Sequence, residues 1–217
     1  MKNKLDKLTI FGIGCLIFVI AGLFGFIYEF IFYYLNSGMK TFYYRGGNFL
    51  PWINIYATGS FLIYILTRKL KNKPILVFLV SAITCGVLEL ISGYVLYSVL
   101  DMGPRCWNYN VEMWNFGNIG GFVCLRSVLF FGLSGLILMY LIIPLCTKLA
   151  LKCNKKVFLT ITITLASIVL FDELYNLVFA HMLSLPRAST IYKELGFKYI
   201  YFWCKELSAF KDALKSW

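Results

Sequence analysis

Long apolar runs, each broken by no more than two charges, alternate with short basic segments along this 217-residue chain. Five runs stand out, over residues 10–35, 51–67, 75–100, 117–145 and 157–183. A bilayer core takes about 20 apolar residues in a helix rising 1.5 Å per residue. Four runs exceed that length, and the second is shorter but uncharged. Together they occupy more than half of the chain. The pattern predicts an all-α fold, a polytopic membrane bundle of five transmembrane helices over residues 1–185. The first run is too long for a signal-peptide core and no small-residue cleavage site follows it, so an uncleaved helix is expected.

Pro186 ends the fifth run. Beyond it, Leu195, Tyr199, Trp203, Leu207, Phe210, Leu214 and Trp217 recur at spacings of three or four. Lys198, Lys205, Lys211 and Lys215 lie mainly off that row. Residues 186–217 therefore read as a C-terminal amphipathic helix, resting in the head-group layer or against a partner subunit.

Composition agrees with the pattern. The chain is 60% hydrophobic and only 14% charged, with a mean hydropathy of +0.75. Soluble domains carry about 25% charged residues, so an ordinary cytosolic enzyme, a disordered chain and a secreted disulfide scaffold are excluded. The net charge of +11 sits in clusters beside the apolar runs: Lys2, Lys4 and Lys7; Arg68, Lys69, Lys71 and Lys73; Lys148, Lys152, Lys155 and Lys156. Such flanking cations set orientation and meet lipid head groups, whereas nucleic acid needs a stripe on a folded surface. With the amino terminus inside, the outer loops hold only Lys40, Arg45 and Arg105, so a cell-membrane protein with a cytoplasmic N-terminus is expected.

The candidate chemistry lies in charges placed where lipid forbids them. Glu29, Glu89, Arg126, Asp172 and Glu173 fall inside the runs. A charge at a helix centre costs about 2.5–3.5 kcal/mol on insertion, so such groups face the bundle interior and mark pathways or ion-pair staples. Counted at 1.5 Å per residue, Glu29 lies about 9 Å below the outer boundary and the other four about 14–16 Å. Four carboxylates against one guanidinium leave an excess of negative charge, which suits a small or cationic substrate, a proton, or a hydrogen-bonded network that fixes helix register. Asn176 follows Asp172 by four and Glu173 by three and can bond either. Gly22 and Gly25 beside Glu29, and Gly86 and Gly93 beside Glu89, allow close helix approach.

The outer loops combine glycine with aromatics: Arg45-Gly46-Gly47 ahead of Tyr56, and Trp107-Asn108-Tyr109 ahead of Asn115, Asn118, Gly120 and Gly121. They read as interface anchors, or as a cap over the charged site formed by Arg45, Tyr56, Trp107, Tyr109 and Asn115. The seven cysteines (15, 85, 106, 124, 146, 153 and 204) show no zinc spacing, and His181 is the one histidine, so no metal and no cofactor is implied. Small thiols packed in the core are expected, with a Cys106–Cys204 disulfide left open.

The order Glu29, Arg45-Gly46, Tyr56-x-x-Gly59, Glu89, Trp107-x-Tyr109, Asn115 to Gly120 and Cys124-Leu125 resembles the type IV, CmpB-like ABC-transporter permease family. The likeness covers roughly residues 10–145. Asn54-Ile55-Tyr56-Ala57-Thr58-Gly59 departs from the family's Pro-Ile-Tyr-Gly-x-Gly. The resemblance implies a permease-like subunit with ATP hydrolysis on a separate chain; this chain has no phosphate-cradle motif. Five spans are few for a complete pore, so a homo- or hetero-oligomer is expected. Two other readings stand beside it: a non-catalytic assembly or lipid-binding subunit, and an intramembrane enzyme acting on lipid.

Overall fold

The computed structural model describes residues 5–36, 48–99 and 107–196. Six helices follow one another there: α1 Lys7–Asn36, α2 Asn54–Thr67, α3 Pro74–Val99, α4 Leu125–Lys152, α5 Lys155–Met182 and α6 Ala188–Glu194. No named strand occurs among the described residues; Ile119 and Val123 form one isolated bridge.

Four helices, α1, α3, α4 and α5, are long and apolar enough to cross a membrane, while α2 is a shorter apolar helix of 14 residues. At 1.5 Å per residue α2 is about 21 Å long, less than a hydrocarbon core. Of the five expected spans, four are helices of membrane-crossing length and the second is this short helix. Of the C-terminal amphipathic helix, only the seven-residue α6 lies among the described residues. Most of that row, with Cys204, lies outside them, as do Arg45 and Cys106.

Local chemistry sets the ends. Asp6 caps α1, accepting the N–H groups of Leu8 and Thr9 at 3.1 Å and the Thr9 hydroxyl at 2.7 Å. Pro74 begins α3, where its missing N–H goes unneeded. Asn154 caps α5 through Lys156 N–H at 3.0 Å, and Lys155 reaches Asp6 at 3.1 Å, which ties the starts of α1 and α5 together. Midway along α4, Pro144 cannot donate, and Ile143 N–H bonds Leu138 O five residues back, widening the turn Leu138–Ile142 into a π-helix.

One expectation is corrected here. The fourth run was expected to become helix near residue 117, but α4 starts at Leu125. Gly117, Gly120 and Gly121 take φ of 65, 64 and 81°, and Trp114 takes 56°. These left-handed residues turn the chain repeatedly and cannot continue a right-handed helix. The segment is a folded loop.

In the packing, α1 lies against α2 and α5, and α3 lies against α2 and α4. Ile13, Ile17, Ile63, Cys85, Phe131, Leu138 and Phe158 form the centre. The outward residues are apolar too: Phe24, Ile75, Ile83, Val99 and Phe171 are all more than half exposed. In water so much exposed hydrocarbon would aggregate; against lipid it is the proper surface. Close approach depends on small residues. A Cβ on Gly135 of α4 would run into Ser81 of α3, and one on Gly25 of α1 would run into the Tyr56 ring of α2.

Candidate functional site

The loop of residues 107–124 is held by its own polar side chains. Trp107 Nε1 donates to Phe122 O at 2.7 Å, and Tyr109 N–H donates to Gly121 O at 3.0 Å. Asn115 Nδ2 donates to Tyr109 O at 2.7 Å, and Asn118 Nδ2 to Asn110 Oδ1 at 2.7 Å. Met113 N–H donates to Asn36 Oδ1 at 3.3 Å, which fastens the loop to the end of α1. Asn115 therefore shapes the loop from within. The backbone of a non-helical segment is satisfied here by protein, as its position at a bundle end requires.

This folding aims two loop side chains into the bundle. Tyr109 is buried, and its hydroxyl donates to Glu89 of α3, which is 4% exposed. Burial first, and the Glu89 carboxylate second, push the Tyr109 phenol well above its usual range, so it stays a proton donor at neutral pH. The other oxygen of Glu89 lies 2.6 Å from Ser127 Oγ. That hydroxyl also lies 2.8 Å from Cys124 O. A serine has one proton, so it serves one acceptor at a time. When it turns to the carbonyl, the second Glu89 oxygen needs a proton or a cation of its own.

Glu112 is the second inward loop residue. Its carboxylate accepts from the Tyr33 hydroxyl and from Arg126 Nη2 at 3.0 Å. Arg126 also donates through Nη1 to Met113 O at 3.0 Å. Its guanidinium lies 4.5 Å from the Phe32 ring centre and 5.2 Å from that of Tyr109. Arg126 is thus spent on one loop carboxylate, one carbonyl and two aromatic faces.

Between these groups lies a cavity of about 30 Å³, lined by Glu29, Glu89, Glu112, Arg126, Tyr109, Ser127, Tyr56 and Trp107 among others. That volume has room for a water or a small ion. Three carboxylates face one guanidinium across it.

Asp172 and Glu173 stand elsewhere. Asp172 accepts the N–H groups of Phe49 at 2.9 Å and Leu50 at 2.7 Å, and Asn176 Nδ2 at 3.0 Å. Glu173 accepts from Asn48 Nδ2 at 2.8 Å and Asn54 Nδ2 at 3.4 Å. Tyr192 of α6 donates to Phe49 O at 2.8 Å. This cluster fixes the segment leading into α2 against α5. The charges expected at one height therefore form two groups. The late start of α4 puts Arg126 in a first turn, within reach of Glu112, while Asp172 and Glu173 are taken up by residues 48–50 and Asn54.

Glu112 and Ser127 were missed by sequence reasoning, which placed no site residue in that loop beyond the aromatics and Asn115. The closely spaced Gly117, Gly120 and Gly121 were the available signal, since such glycines mark turns and place their neighbours in a loop.

An apolar-surfaced, helical bundle with a buried acidic cavity under an ordered loop defines a polytopic membrane protein. The family model described as "Putative ABC-transporter type IV" matches residues 16–177. The chain belongs to that family. The match takes in most of α1 through most of α5, and so the carboxylates of both polar clusters. No curated protein and no solved structure matches the chain.

Proposed function

We propose that this protein is a permease-like membrane subunit of an ABC-type transporter, whose buried cavity binds a small cation or relays a proton. The single observation that carries the reading is Glu89. It is a carboxylate 4% exposed whose two hydrogen bonds come from the hydroxyls of Tyr109 and Ser127. Glu29 and the Glu112–Arg126 pair share its cavity. Buried acids without a guanidinium of their own take up protons or cations. In this reading α2 completes five crossings, the N-terminus is cytoplasmic, ATP hydrolysis belongs to a separate subunit, and more than one copy or partner builds the pathway.

The test uses the purified chain in proteoliposomes with a pH-sensitive dye inside, and with sodium or potassium gradients imposed in parallel. Wild type should move protons or one of the ions, and Glu89→Gln should not, while eluting at the same volume. Equal flux in both proteins, or none in either when a partner ATPase and ATP are supplied, rejects the cavity as a transport site.

A second reading has its own support. The Asp172 cluster, the Asn115 loop and the Arg126–Glu112 pair all satisfy one another internally, as a register-fixing network does. An assembly subunit would keep its function in Glu89→Gln and lose only expression level.

A further inference from the structure

At the end of the bundle away from the cavity, a groove of about 710 Å³ runs between the 68–72 turn and the last turns of α4. Arg68, Lys71, Lys148 and Lys152 line it, and no carboxylate is among its lining residues. None of the four forms an ion pair with a described carboxylate, whereas Lys155 close by in sequence is engaged by Asp6 at 3.1 Å. The floor is apolar, from Ile143, Pro144 and Leu151. The groove's walls are built together: Tyr140, in the widened π-turn that Pro144 imposes on α4, donates to Lys71 O at 2.8 Å. That bond holds the basic turn over the helix.

We infer that this groove is a binding site for the phosphate of an anionic phospholipid. Leu141, Leu145, Lys148 and Lys152 fall at i, i+4, i+7 and i+11, on one face of α4. Leu141 and Leu145 are 53% and 55% exposed, and they lie further into the span than the lysines. The four cations that line the groove take the head-group phosphate, and the leucines further into the span take the start of an acyl chain. A soluble phosphate would use the cations but leave the apolar floor and the leucine row uncovered. The combination of both favours the lipid. This site is independent of the cavity at Glu89 and stands whether or not that cavity transports anything.

Native mass spectrometry of the full chain in detergent tests it, with phosphatidylglycerol, phosphatidylcholine of the same chains, and inorganic phosphate as the three probes. Phosphatidylglycerol should bind well ahead of phosphatidylcholine, and millimolar inorganic phosphate should not displace it. Each basic side chain near an anionic head group contributes roughly fivefold in affinity, so Lys148→Gln with Lys152→Gln should lower phosphatidylglycerol binding about 25-fold. Lys155→Gln with Lys156→Gln removes the same charge outside the groove and should change it less than about twofold. Lys148→Arg with Lys152→Arg should retain binding. Equal losses in the two glutamine pairs would reduce the effect to general surface charge and overturn the site. Binding of inorganic phosphate that competes with the lipid would overturn the lipid assignment. Equal affinity for the two lipids would also overturn it, and would leave the groove to an acidic protein surface.

Discussion

Replacing Arg126 by methionine strands the Glu112 carboxylate, and the size of the effect can be worked from the geometry. The Nη2–Oε2 distance is 3.0 Å, with side-chain exposures of 15% for Arg126 and 6% for Glu112. Breaking a buried pair from one side destabilises by about 3–5 kcal/mol. The partial exposure of Arg126 admits some solvent, which lowers the expected value to about 2–3 kcal/mol. The contacts with Phe32 and Tyr109, at 4.5 and 5.2 Å, add about 0.5–1 kcal/mol in total, because methionine keeps part of the ring packing. The expected loss is about 3 kcal/mol, or a fall in Tm of roughly 6–12 °C for a chain of this size. Glu112→Gln should be milder, since Arg126 keeps Met113 O and both rings. The double variant should recover a good part of the Arg126→Met loss, because the unpaired charge has gone. Intrinsic-fluorescence melting of the detergent-solubilised proteins gives all four corners of the cycle. A Tm for Arg126→Met within about 2 °C of wild type, or a double variant less stable than Arg126→Met, would refute the reasoning.

Gly135→Ala should destabilise by about 1–3 kcal/mol through overpacking against Ser81; Ser81→Gly in the same chain should restore the Tm, and Ser81→Ala alone should be nearly neutral because Ser81 Oγ is buried without a partner. Asp172→Ala leaves the N–H groups of Phe49 and Leu50 without acceptors, so hydrogen exchange over residues 48–50 should accelerate while Tyr109 and its neighbours remain protected. The Thr9 hydroxyl and N–H, then Lys155, hold the Asp6 carboxyl well below the usual carboxylate range. Its folded value is depressed, so its contribution is present above about pH 4 and fades as pH falls further; the stability gap between wild type and Asp6→Asn should be open at pH 7 and narrow under strong acid. Cys153 is exposed, whereas Cys15, Cys85, Cys124 and Cys146 are buried. In a Cys106→Ser, Cys204→Ser background, maleimide should therefore label Cys153 alone, and in the orientation proposed above an impermeant reagent should need the cytoplasmic face opened to reach it.

The membrane character of this protein and its long helices are written in local sequence. Apolar runs of bilayer length, lysines at their borders, and caps such as Asp6, Pro74 and Asn154 act over a few residues, and no distant partner changes what they favour. Glu89 and Arg126 were legible as candidates for the same reason, since a charge within an apolar run must find company. Which company it finds is not local. Fourteen residues separate Arg126 from Glu112 and 125 separate Asn48 from Glu173, and those meetings depend on where a loop turns and which helix faces which. A shift of eight residues in the start of α4, imposed by three glycines with positive φ, moved Arg126 from a span interior to a first turn and gave it a loop carboxylate as partner. The same loop brings Tyr109 to Glu89, while Asp172 and Glu173 stand apart because they hold residues 48–50 and Asn54. Solvent preference acts on each segment separately and can be read along the chain; hydrogen-bond partnership is a property of three-dimensional packing, and only the folded bundle decided it.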